Sequence, residues 1–298
     1  MKTYTKKQRE MRNNMMAWLL VAPALFFMLI FTVWPIIRSI YLSLTTYKLG
    51  MKTPEFIGLE NYIKLFHSPL FWKVMGNTLF FALITIIPSM VCGLFLAVLV
   101  NRKSRATGFV RTAFFYPAVM PMIAIASIWM FIYMAKNGLF DQMLISLGMK
   151  PMNILSNKKT VLPALAVMYI WKESGYLMVF FLSGIQSISE DVLEAARIDG
   201  ANAWTIFRKI TLPLLAPTFI FVSTVALTNS FKLVDHVVIM TEGAPNNAST
   251  LLLYYIYQQG FTNFNYGLSS ALTTIMLGLL MIVALPRFLS QDKKIHYN

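Results

Sequence analysis

The chain has 298 residues, 57% of them hydrophobic and 13% charged, with a formal net charge of +14. Soluble domains are about 45–50% apolar and about 25% charged, so this composition excludes an ordinary soluble domain and reads as a polytopic membrane protein. A single cysteine, Cys92, excludes an internal disulfide, and the absence of a Gly-x-x-x-x-Gly-Lys-Ser/Thr loop gives the chain no evident nucleotide site of its own.

Residues 1–16 form a basic tail carrying Lys2, Lys6, Lys7, Arg9 and Arg12. The apolar run that follows, 17–37, is long enough to cross a hydrocarbon core of roughly 30 Å and lacks a small-residue cleavage site. It reads as a retained first span, with Trp18 and Trp34 near its interfaces. Further runs at about 77–100, 113–134, 161–184, 214–234 and 268–289 bring the expectation to six spans in one domain over 17–289, with a tail at 290–298. Proline lies in or beside every run, which predicts kinked helices packed on one another.

Basic residues set the orientation. They concentrate in the first tail, in the loop 101–112 (Arg102, Lys103, Arg105, Arg111), in the stretch 187–213 (Arg197, Arg208, Lys209) and in the last tail (Arg287, Lys293, Lys294). The alternate loops are longer and carry fewer. The positive-inside bias therefore predicts that both termini and the 187–213 loop are cytoplasmic. It also assigns most of the +14 charge to topology, which argues against a nucleic-acid partner.

The stretch Ser187–Pro217 is the polar centre of the chain. Ser187 or Ser189 can cap a helix near whose start Glu190, Asp191 and Glu194 fall, and Gly200 can end it. A second short helix fits Ala203–Ile210, with Trp204, Phe207 and Ile210 on one face. The loop is either an ordinary cytoplasmic connection or a docking element.

Glu194-Ala195-Ala196-x3-Gly200-x9-Ile210-x-Leu212-Pro213, with Asp199 just before the glycine, resembles the EAA loop of permease subunits of binding-protein-dependent ABC importers. Phe56-Ile57-Gly58-Leu59-Glu60-Asn61-Tyr62, Asn77-Thr78, Trp171-Lys172 and Leu182–Ile188 are similar to the carbohydrate-type branch, which takes in maltose-like sugars, multiple sugars and glycerol-3-phosphate. The resemblance covers nearly the whole chain. The branch's Thr-x-Gly-Gly-Pro turn stands here as Thr241-Glu242-Gly243-Ala244-Pro245, so the sequence does not require two unusual backbone angles there.

The resemblance implies an all-α ABC importer type I permease fold in a bacterial cytoplasmic membrane, working by alternating access. It implies a second permease chain, expected to form a heterodimer with this one. It also implies two ATPase subunits that supply ATP and Mg chemistry, an extracytoplasmic binding protein that delivers a carbohydrate or glycerol-3-phosphate, and surrounding membrane lipid. This chain would be a transport subunit and not an enzyme, with no cofactor of its own. Glu194, Ala195, Ala196, Asp199, Gly200, Ile210, Leu212 and Pro213 would seat in the ATPase. The alternative for Glu194 is a solvated helix charge.

Lys172 and Glu173 fall near the middle of the fourth span, where charge is costly and faces a bundle interior or a wet cavity. Either they line a translocation path, with Trp171 or Tyr176 stacking on a sugar, or they satisfy broken backbone groups. In the fifth span, Asn229 is assigned to the path and Ser223 and Thr224 to helix packing. Asp235 and His236 read as an outer rim. The dispersed histidines and lone cysteine give no metal set, and no catalytic group is expected. The competing reading is an ion-coupled secondary transporter, which would ordinarily need more buried acids than Glu173. A membrane enzyme would need converging acids, histidines or nucleophiles, and none is found.

Overall fold

The computed structural model describes residues 6–101, 107–232 and 234–292, with side chains described from residue 14 to 282 within those ranges. The chain is helical almost throughout and divides into two compact units. One comprises Met1–Lys64 with Gln259–Ile275, the other Leu65–Gln258 with Met276–Asn298.

In the first unit an apolar helix runs over Asn14–Ser43, interrupted by a π-helical turn at Leu29–Val33. None of its most hydrophobic window is buried in the chain. Beyond it, Thr45–Thr46 pairs antiparallel with Glu55–Phe56, Thr45 opposite Phe56 and Thr46 opposite Glu55. The amide of Asn61 closes this corner by donating to the Ser43 and Thr45 carbonyls, both at 2.8 Å. The Tyr62 hydroxyl donates to Ser43 Oγ at 2.8 Å. The Phe56–Tyr62 sequence thus acts as a backbone clamp, supplying partners to carbonyls that a sharp turn would otherwise leave open.

In the second unit the long helices Pro69–Val100 and Val161–Gln186 pack along each other. Their buried faces feed two apolar clusters. Phe81, Leu165, Met168 and Tyr169 belong to one. Ala97, Leu177, Phe181, Leu215 and Val222 belong to the other. Ala216–Phe231 packs on both helices, and Asp235–Met240 forms a further short helix. The last helix of the chain, Tyr266–Asp292, belongs to the first unit up to Ile275 and to the second from Met276.

Among the described residues, four helices are long and apolar enough to cross a membrane. The third predicted run is not one helix. It breaks into Thr107–Val119 and Met122–Ile132, bent by 98°. The cause is local: Pro121 disfavours helical geometry at Met120 and offers no N–H to continue the ladder. Pro88, by contrast, sits inside an unbroken helix.

Asp235 is exposed, but His236 is fully buried with its ring stacked on Phe81 at 5.6 Å. The reading of His236 as an outer rim is therefore corrected. One residue's step, about 100° around the helix, places it on the core face. The predicted Ala203–Ile210 helix is also revised. Ala203–Ile206 is α-helical and Phe207–Thr211 is a π-helical turn.

Candidate functional site

Tyr169, Lys172, Glu173 and Tyr176 recur at spacings of three, four and seven along the Val161–Gln186 helix, so they form one stripe. This stripe, with Asn229 and Lys232 opposite and Ala118 and Met122 at the helix break, lines a cavity of about 260 Å³. The Asn229 side-chain amide donates to Glu173 Oε1 at 2.9 Å. Glu173 is buried, and the bond gives its carboxylate a partner inside a low-dielectric environment. Tyr169 is also buried. Its hydroxyl lies in electrostatic reach of Glu173 but completes no hydrogen bond of ordinary geometry.

Lys172 reaches away from the acid beside it. Its ammonium donates to the carbonyls of Pro117 and Ala118, both at 3.0 Å, and of Met120 at 2.9 Å. These carbonyls are orphaned by the 98° break, and one Lys has three donors to give. Gly175, one turn on, makes the approach possible: a Cβ there would sit 2.0 Å from the Phe114 carbonyl oxygen.

Trp171 does not join this cavity. It lies on another face of the helix, packs on Trp129 at 5.9 Å between ring centroids and borders a separate apolar cavity with Phe95 and Phe114. Ser223 and Thr224 both donate to the Ile220 carbonyl of their own helix at 2.9 Å. Among the described residues, no three His, Cys, Asp or Glu side chains are grouped to hold a metal.

The polar loop forms its first helix over Glu190–Ile198. Ser189 is the cap, accepting from the Asp191 N–H at 3.3 Å. The helix closes when Gly200 donates to the Arg197 carbonyl and Ala201 to that of Ala196, with Gly200 at φ +80°. A cap that the sequence reading passed over starts the next helix: Asn202 Oδ1 accepts from the Thr205 N–H at 2.8 Å. Ala196 turns into the chain, whereas Val192, Glu194, Ala195, Asp199, Pro213 and Trp204 are exposed and Ile198 is 86% exposed. Ile210 and Leu212 are half-buried. Beside this surface, Glu190, Leu193, Glu194 and Arg197 border an open cleft of about 590 Å³ with Asn101 and Gln186. Arg102, Lys103 and Arg105 of the basic loop that follows Asn101 lie outside the described residues.

The family described as "Binding-protein-dependent transport system inner membrane component" matches residues 89–291. AmyD of Thermoanaerobacterium thermosulfurigenes, a probable permease protein for starch degradation products, is 35% identical, over 97% of this chain and 99% of its own. UgpA of Escherichia coli (strain UTI89 / UPEC), an sn-glycerol-3-phosphate transport system permease protein, is 31% identical, over 96% of this chain and 97% of its own. The chain belongs to this family of inner membrane transport components. The permease also shares its fold with a chain of a bacterial ABC transporter involved in import of the acidic polysaccharide alginate. The TM-score is 0.84 at 21% identity, over 98% of this chain and 100% of the other.

The Thr241–Pro245 turn of the permease accounts for its missing glycine. Left-handed angles fall on Glu242 (φ 47°), Gly243 (φ 83°), Asn246 (φ 49°) and Asn247 (φ 57°), and not on Ala244. The turn Thr241–Pro245 thus does use two left-handed residues, but they are Glu242 and Gly243, so an alanine at 244 meets no left-handed strain. The loop is tied to the Pro69–Val100 helix by the paired residues noted in sequence. Asn77 Nδ2 donates to the Asn247 and Thr250 carbonyls at 2.9 and 3.1 Å, and Thr78 Oγ1 accepts from the Leu252 N–H at 2.8 Å. The sequence reading missed Ala118, Met122, Tyr169 and Lys232 as cavity residues, and for Tyr169 its position four before Glu173 is the signal that could have found it.

Proposed function

We propose that this permease forms half the pore of an ATP-driven importer in a bacterial cytoplasmic membrane. It takes up a carbohydrate or glycerol-3-phosphate delivered by an extracytoplasmic binding protein. A second permease chain completes the pore, and two ATPase subunits bind ATP and Mg. The chain crosses the membrane six times, with both termini on the cytoplasmic side.

The observation that carries this reading is the surface of the 189–213 loop. Ala196 anchors it to the chain, while Ala195, Ile198 and Trp204 stand out to solvent beside Glu194. An apolar patch rimmed by charge, held by two capped helices, is built to dock a protein. The named roles of AmyD and UgpA support the solute class. ATP binding and hydrolysis change what the loop is bound to, and that difference in affinity is what can drive a change of state in the pore.

The test is uptake by cells expressing the complete transporter. Orthovanadate should abolish it and a protonophore should not. Uptake that collapses with the proton gradient and ignores vanadate would overturn the reading.

A further inference from the structure

We propose that a cleft between the first apolar helix and the start of the last helix holds the phosphodiester of a membrane phospholipid. Arg38 is its cation, and Tyr47, Tyr266 and Ser270 supply hydroxyl donors.

The cleft measures about 380 Å³, within the roughly 300–1,000 Å³ of small-molecule sites. All of its walls belong to the first unit. The main chain holds them together. The Gly267 N–H donates to the Tyr47 carbonyl and the Leu49 N–H to that of Phe264, both at 3.1 Å. The Tyr47 and Tyr266 rings lie 5.4 Å apart between centroids.

The polar groups that line this space are donors in search of an anion. Among the described residues, Arg38 makes no ion pair and no hydrogen bond, and no acid lines the cleft. The Tyr47 and Tyr266 hydroxyls are likewise unbonded, although both residues are half-buried. Ser270 departs from its helix neighbours. Thr273 and Thr274 donate back to the Ser269 and Ser270 carbonyls at 2.9 Å, as small hydroxyls on helices do. The Ser270 hydroxyl makes no such bond. A guanidinium presents its N–H groups in a planar fork that matches two phosphate oxygens, and three hydroxyls around it can serve the others.

The surroundings select a lipid over a free ion. Trp34, Arg38 and Leu42 recur at four-residue spacing and form one stripe of the Asn14–Ser43 helix. Trp34 lies one turn toward the helix middle from Arg38 and is exposed, as are Ile37 and Tyr41. A free phosphate has no use for that apolar wall. A phospholipid covers it with its chains while its headgroup sits at the level where Trp and Tyr collect. An arginine that merely snorkelled into the headgroup layer would need only its own length. It would be indifferent to the hydroxyls on Tyr266 and Ser270.

The experiment uses the assembled, delipidated transporter in detergent. Dioleoyl-phosphatidylglycerol is titrated in, and native mass spectrometry gives the Kd of the first lipid bound. Arg38→Gln should raise that Kd about tenfold or more, the size of a lost hydrogen bond to a charged group. Tyr266→Phe and Ser270→Ala should each raise it about threefold. Lys52→Gln removes a charge from an exposed turn of the same unit and should leave it unchanged. Dioleoylglycerol, which has the chains without the phosphate, should not be retained, and inorganic phosphate should not displace the lipid. Five results would each overturn the proposal. They are a Kd indifferent to Arg38→Gln, equal effects of Arg38→Gln and Lys52→Gln, a Kd indifferent to both Tyr266→Phe and Ser270→Ala, equal retention of dioleoylglycerol, and displacement by phosphate. Absence of any retained lipid, as when an acid of another chain fills the cleft, does so too. Tyr266→Phe and Ser270→Ala each delete one hydroxyl and keep the frame, so they decide the matter if Arg38→Gln fails to assemble.

Discussion

Asn229 donates to Glu173 across 2.9 Å and so joins the Ala216–Phe231 helix to the Val161–Gln186 helix inside the bundle. The pair should be measurable as a coupled unit. In a double-mutant cycle with Asn229→Leu and Glu173→Leu, read by thermal unfolding of the purified transporter, the interaction energy should be about 0.6–1.7 kcal/mol. Strict additivity of the two substitutions would show that the bond contributes nothing.

Lys172 is expected to matter for stability rather than selection. Lys172→Met leaves three carbonyls at the helix break without their donor. The loss should be about 2 kcal/mol, since a charged donor is removed from partly buried acceptors. A lowered melting temperature with unchanged solute preference is the expected outcome. A changed preference at unchanged melting temperature would place Lys172 on the solute instead.

Gly200 has no heavy atom within 4 Å of where a Cβ would be, so its constraint is the φ of +80° alone. Gly200→Val should cost about 1–2 kcal/mol locally, reducing uptake and ATPase stimulation while membrane insertion continues. Gly200→Asn should retain most activity, because Asn enters the left-handed region readily. Equal activity of the Val and Asn variants would dismiss the backbone argument.

Trp204 is 66% exposed on the proposed docking face. Trp204→Ser should leave the melting temperature of the permease unchanged. It should weaken its affinity for the ATPase by about 2 kcal/mol, or roughly thirtyfold. Pull-down or titration of the purified ATPase onto permease in nanodiscs reads this directly.

The Glu190–Ile198 helix was legible because its signals are local: a serine cap, acids in the first turn and a glycine at the end. The membrane character was legible for a similar reason, since composition needs no tertiary information. The cavity was legible only in part. Glu173, Tyr176 and Asn229 do meet, but Trp171 was grouped with them by adjacency in the chain, and adjacent helix residues point about 100° apart. The role of Lys172 depended on knowing that the chain breaks at Met120–Pro121 and where the freed carbonyls go. His236 followed the same logic. Its burial is set by Phe81 from a distant helix, which no local pattern reports.

The two charges of the Val161–Gln186 helix also imply an order of manufacture. Its apolar window averages only 1.3 in hydropathy, against 2.6 for Pro69–Val100. It is therefore a reluctant solute of the bilayer when it leaves the ribosome. The carbonyls that satisfy Lys172 lie 52–55 residues upstream and have already been synthesised. The amide that satisfies Glu173 lies 56 residues downstream and has not. The nascent segment thus carries one settled charge and one outstanding debt, and its integration stays provisional until the Asn229 segment arrives.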